Sequence, residues 1–178
     1  EAIISFLKSE LNAPFDEWMQ ISDREVNCLN FKNSDTAIIL TFGQSNAANH
    51  GETKFKPEKG VYNFYFNNGR CYVAEDPLLG ASGKFGSVWT RLGDLLIKNN
   101  VYKQVLLVPI AQGGAPVEGW VPHNGANLYP RIEIAFNRLT KLGLTLTHLL
   151  WHQGESDKDS TGIKYEKSFL KMNRAIRN

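Results

Sequence analysis

The sequence has no apolar run approaching the ~18–20 residues that a membrane-spanning helix requires, so the chain reads as a soluble protein. An excess of charge of one sign is also lacking. Twenty Lys and Arg stand against 18 Asp and Glu, with both signs spread along the chain, so the net charge of +2 gives no electrostatic footprint for nucleic acid. Cysteine is scarce. Cys28 and Cys71 have no C-x-x-C spacing, which excludes a zinc knuckle or a redox pair. Because cysteine is among the residue types most often fully buried, the two are read as buried thiols in preference to a single disulfide. The histidines of "HLLWH", His148 and His152, would share a helix face, but on a strand at ~3.3 Å per residue they stand ~13 Å apart and cannot share a metal ion. "GASGKFGS" misses the phosphate-loop spacing, since Lys84 is followed by Phe85. Internal repeats and low-complexity segments are absent too, and a chain of 178 residues is long enough to bury one core without disulfide or metal. One domain over residues 1–178 is expected.

What is present is a rhythm of short apolar runs and amphipathic segments. "TAIILTF" (residues 36–42), "QVLLVPI" (104–110) and "TLTHLLW" (145–151) are continuous rather than alternating, as expected of parallel strands covered on both faces. Between them lie "SVWTRLGDLLIK" (87–98), with Val88, Leu92, Leu95 and Leu96 on one face, and "YPRIEIAFNRLTKLG" (129–143), with Pro130 near its start and Gly143 past its end. A last helix is predicted over 162–177, with Tyr165, Phe169, Met172 and Ile176 inward and Lys164, Lys167, Lys171 and Arg174 outward. A first helix, over 1–11, carries Ile4, Leu7 and Leu11 on one side. Strand, helix, strand, helix, strand implies right-handed crossovers and an α/β sheet. The connection over 49–86 breaks this rhythm, being far longer than the usual ~4–6 residues, and long connections in compact domains tend to be functional. Within it, "VYNFYF-NNG-RCYV" predicts a β-hairpin. Its aromatics Tyr62, Phe64 and Tyr65 are read first as packing and second as a sugar-stacking surface.

Each of the three buried strands ends in a polar, glycine-containing loop: "GQSNA", "AQGGAPVEGW" and "HQGESD". In an open α/β sheet, ligands bind outside the carboxyl ends of the strands, where such loops converge. Ser45 has two readings, a helix N-cap or a nucleophile. "G-Q-S-N-A" lacks the final glycine of the strained G-x-S-x-G elbow, which disfavours the common α/β-hydrolase arrangement. Gly113 and Gly114 form either a tight turn or a backbone N–H free to approach an oxyanion. Gln153 and Glu155 suit either a third oxyanion donor with an acid that orients an imidazole, or a second helix start capped by Ser156 or Asp157.

Together these loops resemble, in order and spacing over about two thirds of the chain, the successive blocks of the SGNH hydrolase superfamily, specifically its carbohydrate O-acetylesterase branch of sialate O-acetylesterases and acetylxylan esterases. The resemblance implies an α/β three-layer sandwich, a flavodoxin-like parallel sheet of about five strands flanked by helices. It implies no cofactor, no metal, and hydrolysis of acetyl esters on a sugar such as sialate, xylan or a related glycan. Carried onto this sequence, it makes Ser45 the nucleophile and Glu155 an acid supporting the base. The oxyanion donors become the Ser45 N–H, the Gly114 N–H (Gly113 as alternate) and the Gln153 side chain. Gln44, Asn46 and Trp120 fall where substrate is bound. The expected partner is an acetylated carbohydrate, without nucleic acid or membrane, and a secreted or periplasmic setting is favoured over the cytoplasm.

One part of the family pattern is missing. The D-x-x-H that carries the base occurs nowhere in the sequence. His148 is expected to be a hydrogen-bonded core histidine, His152 a framework residue at a strand end, and His50 and His123 loop residues without an inherited role. The chain is therefore read as an esterase domain shortened before its last strand and histidine loop. A non-catalytic carbohydrate-binding or scaffold module that has lost the base is the alternative.

Overall fold

The computed structural model describes residues 21–124 and 127–177; the helix expected over 1–11 lies outside the described residues. Among these residues six strands form one sheet in the order β1-β4-β3-β5-β2-β6. They are β1 (Glu25–Val26), β2 (Thr36–Gly43), β3 (Val61–Tyr65), β4 (Arg70–Val73), β5 (Gln104–Pro109) and β6 (His148–His152). The helices are α1 (Val88–Lys98), α2 (Tyr129–Lys141) and α3 (Gly162–Arg177). None is long and apolar enough to cross a membrane among the described residues.

The parallel core is β3-β5-β2-β6, with Thr36 opposite Gln104 at one end and Gly43 opposite His152 at the other. Every residue of β2 is buried, because both sheet faces are covered. Ile38, Leu40 and Phe42 join Leu106, Val108, Ile132, Leu139 and Met172 in the layer beneath α2 and α3. Ala37 and Ile39 point the other way, into the layer shared with Val105, Leu107 and Trp89 of α1. That two-sided burial is why these strands read as unbroken apolar runs. The sheet is nevertheless mixed. The hairpin predicted around Asn-Gly forms, β3 pairing antiparallel with β4, and β1 adds a further antiparallel edge. Phe64 and Tyr65 are buried within it, so these two rings pack and do not stack on a sugar.

Three expectations are corrected. Cys28 and Cys71 form a disulfide. The pairing of Val26 with Cys71 in the β1–β4 ladder draws the following turn, Cys28–Phe31, against β4 and brings the two Cα atoms to 5.3 Å, within bridging range. Closing a loop of 43 residues restricts the unfolded chain by roughly 4 kcal/mol in the chain-entropy description. Second, α1 is rotated in part from the predicted face, Leu92 and Leu96 packing on the core as expected. Trp89 and Gly93 are buried while Val88 and Leu95 are about half exposed. Ser87 caps the helix by accepting the Trp89 N–H, and Gly93 allows close approach: a Cβ there would lie 2.7 Å from Val61. Third, β6 is an exposed edge strand, not a buried one. Among the described residues it pairs with β2 alone, and a groove of about 720 Å³ lined by Phe42, Leu139, Leu144, Leu149, Trp151 and Phe169 runs along it. His148 is accordingly exposed, with Nδ1 2.8 Å from Thr147 Oγ1. The inward face of α3 is as predicted: Met172 is buried, and Phe169 and Ile176 pack on the core.

The long connection over 49–86 is pinned by three buried polar side chains. Asn49 accepts the Leu78 N–H and donates to the Leu78 and Ala81 carbonyls. Asn63 does the same for Leu79. Asp76 Oδ2 accepts the N–H groups of Phe55 and Ser87 and the Thr90 hydroxyl. Burial pushes the Asp76 carboxyl above the usual carboxylate range, against the opposing effect of those three bonds. A raised value means that the native state holds this proton more tightly than the unfolded chain. The Asp76 contribution to stability is therefore fully present below the ordinary carboxyl range and is lost as pH rises through the elevated value. Asp76→Asn keeps an acceptor for the three donors and removes the charge. In urea unfolding followed from pH 4 to 7, the variant is expected to gain on the parent as pH rises, and to differ from it at pH 7 by no more than about 1 kcal/mol.

Candidate active site

The carboxyl ends of β2, β5 and β6 carry the three polar loops side by side. At the end of β2 the chain turns on Gly43, whose φ is +133° and where a Cβ would lie 2.1 Å from the His152 carbonyl oxygen. Only glycine allows this approach, and it lets the Gln44 N–H reach the same carbonyl at 3.2 Å. Ser45 then opens a 3-10 turn, Ser45–Ala47. The turn is preceded by Gln44 as cap residue, without a side-chain cap bond, so Ser45 is not serving as an N-cap. Its hydroxyl is half-buried and lies 3.5 Å from Gln44 Nε2.

Gln44 is 3% exposed and acts as a brace between loops. Its Oε1 accepts the Ser156 N–H at 2.8 Å and Gln153 Nε2 at 3.1 Å. Gln153 is drawn to the same junction, with Nε2 also facing the Ala115 carbonyl and Asp157 Oδ2. Asp157 Oδ2 in turn accepts the Val117 N–H at 2.8 Å. Ser45 and Gln153, more than a hundred residues apart in sequence, are thus joined through one side chain, Gln44.

The backbone amides around this junction divide into two groups. The Gly113 N–H donates to Ser82 Oγ, Ala115 to the Gln112 carbonyl, and Ala47 to the Gln44 carbonyl. The N–H groups of Ser45 and Gly114 have no hydrogen-bond partner among the described residues. Gly114 has φ +72°, and a Cβ there would meet nothing within 4 Å, so its surroundings are open.

Other sequence-predicted residues fall differently. Asn46 is exposed and donates to Glu155 Oε1; Glu155 is therefore joined to the Ser45 loop, and among the described residues no imidazole is bonded to it. Trp120 is 0% exposed, edge-on to Phe42 and Trp151, and offers no face to a sugar. Its pattern in "VEGW" is that of a core aromatic closing the 3-10 turn Val117–Trp120. No histidine is hydrogen-bonded to Ser45 among the described residues. His50 is exposed and lies by Ser82 instead, Nε2 to Oγ 3.4 Å. Asp157 was visible in the sequence only as a possible cap; its acid four residues after Gln153 was the available signal. Ser82 had none beyond its place in the long connection.

A family profile described as "Carbohydrate esterase, sialic acid-specific acetylesterase" matches residues 35–178. The chain belongs to this family of carbohydrate esterases. A search of curated proteins found no match. Among solved structures, this esterase-family chain is similar to a protein from Arabidopsis thaliana, with 19% identity and a TM-score of 0.63 over 82% of this chain and 68% of that one. It is also similar to NanS, with 19% identity and a TM-score of 0.56 over 80% of this chain and 61% of that one. The chain thus spans about two thirds of the length of these structures. The likenesses show the fold. The parallel β3-β5-β2-β6 core with its helices is the SGNH-type α/β arrangement, here lined on one side by the antiparallel β4 and β1.

Proposed function

We propose that the protein is a serine-dependent esterase that removes acetyl groups from a carbohydrate. The observation that carries this reading is the pair of unpartnered N–H groups at Ser45 and Gly114, on two loops braced to a third. In ester hydrolysis negative charge develops on the carbonyl oxygen, and each donor held ready for it contributes ~2.7–4 kcal/mol. The Ser45 hydroxyl attacks the acetyl carbon, its proton passing through a base to the sugar oxygen as the ester bond breaks, the two N–H groups receive the oxyanion, and water then releases acetate from the acyl-serine. Gln153 is the third donor, and Nε2 has to exchange one of its present acceptors for the oxyanion to act so. Gly114 is preferred to Gly113 because the Gly113 N–H is already engaged by Ser82. The family description names sialic acid, which supports an O-acetylated sugar as the substrate class. The Cys28–Cys71 disulfide supports an oxidising compartment.

Attack requires a proton acceptor at Ser45 Oγ. Since no histidine is bonded to that oxygen among the described residues, the second reading, a sugar-binding module without catalysis, has an observation in its favour. A fluorophosphonate separates the two. The esterase reading expects Ser45 Oγ to bond to phosphorus with loss of fluoride, the proton passing to imidazole supplied in the buffer, and one phosphonyl adduct mapping to the Ser45 peptide by mass spectrometry. No adduct at Ser45, with or without imidazole, favours the binding module.

A further inference from the structure

The segment "GASGKFGS", between β4 and α1, has no part in the reaction above, yet it touches both loops that carry the unpartnered N–H groups. Ser82 stands at the junction. Its carbonyl accepts the Asn49 N–H at 2.8 Å, its N–H donates to the Ala111 carbonyl at 3.0 Å, and its hydroxyl accepts the Gly113 N–H at 2.7 Å. Asn49 lies on the stretch leaving Ser45, whereas Ala111 and Gly113 lead directly into Gly114. One residue therefore spans the gap between the two amide donors through three bonds.

The segment itself is rigidly held. Asn49 is 0% exposed, and its side chain clamps Leu78 and Ala81, while Asn63 clamps Leu79. The Asn49 carbonyl also accepts the Phe85 N–H, and Gly51 and Gly86 exchange a pair of backbone bonds. Ser82 is thus presented to Gly113 from a fixed support. On the outer side His50 Nε2 lies 3.4 Å from the same hydroxyl and 3.1 Å from where a Cβ on Gly113 would stand, leaving that amide little room to turn.

We propose that Ser82 is a positioning residue for the oxyanion site. By holding the Gly113 N–H it fixes the peptide plane from which the next N–H, that of Gly114, is aimed. The hydroxyl is an acceptor in this role, not a nucleophile. The catalytic consequence rests on the esterase reading; the hold on Gly113 does not.

Two measurements keep these apart. By NMR amide exchange on the full chain, Ser82→Ala is expected to speed exchange at Gly113 ~5-fold or more, whereas Ser82→Thr, which retains the hydroxyl, stays close to the parent. In p-nitrophenyl acetate hydrolysis, Ser82→Ala is expected to lower kcat about tenfold with KM nearly unchanged, and Ser82→Thr to recover most of the loss. Unfolding midpoints recorded on the same samples exclude a general loss of structure. Unchanged Gly113 exchange in Ser82→Ala, an unchanged kcat, or a loss that Ser82→Thr shares in full overturns the proposal. If Ser45→Ala hydrolyses the ester as fast as the parent, the esterase reading fails instead, and Gly113 exchange still decides whether Ser82 holds that amide.

Discussion

With imidazole in the buffer as the proton acceptor, Ser45→Ala is expected to reduce ester hydrolysis to the rate of the buffer alone, while leaving the fold intact. The second half of this expectation follows from the surroundings of the hydroxyl. It is half-buried, it does not cap the 3-10 turn, and its nearest side-chain partner is Gln44 Nε2 at 3.5 Å. Removing one such oxygen changes stability by no more than about 0.5 kcal/mol. Turnover of p-nitrophenyl acetate and urea unfolding of the same preparation measure both halves. Hydrolysis that persists unchanged in the alanine variant removes Ser45 from the reaction.

Gly43→Ala is expected to damage fold and activity together. A methyl group at this position meets the His152 carbonyl oxygen at 2.1 Å and carbon at 2.7 Å, both backbone atoms that no rotamer can move aside. The φ of +133° is also one that alanine disfavours. Relief requires β2 and β6 to separate where Gly43 pairs with His152, which breaks the Gln44 N–H bond to that carbonyl. A cost of about 4 kcal/mol or more is expected, a large share of the ~5–15 kcal/mol that holds a domain folded. Molecules that remain folded carry Ser45 and Gln153 out of register, and a displacement near 1 Å is enough to lose ~10²-fold in rate. A urea midpoint within experimental error of the parent contradicts the argument.

The parts of this molecule that were legible in the sequence are those governed by local chemistry. Burial on two faces writes an unbroken apolar run, so β2 and β5 were readable. Asn67, Asn68 and Gly69 write a hairpin turn. The polar loops "GQSN" and "HQGESD" stand out because amides and acids are unexpected directly after buried strands. What sequence spacing does not carry is lateral order in the sheet. The stretch 145–151 reads as a continuous apolar run like that of β2, but among the described residues β6 pairs on one side only, and nothing within residues 145–151 states that. The partnership of Cys28 and Cys71 likewise depends on β1 lying beside β4, a contact between distant segments. For α1, four apolar residues at helical spacing were a weaker guide than Gly93, whose missing side chain selects the face that can approach Val61. Within the site, Gln44 and Trp120 have chemistry suited to a ligand, and burial, which the sequence leaves open, turned both inward. Ser82 and Asp157 acquire their places from hydrogen bonds across loops, and a serine or aspartate in a glycine-rich stretch carries no local mark of such a bond.

The connection from Asn49 to Gly86 is long enough to serve as a flap, yet Asn49, Asn63 and Asp76 fasten it from inside, as firmly as a strand is fastened in its ladder. A ligand that reaches the Ser45 loop meets this wall already standing. On the esterase reading, capture then asks for no hinge to swing in this connection.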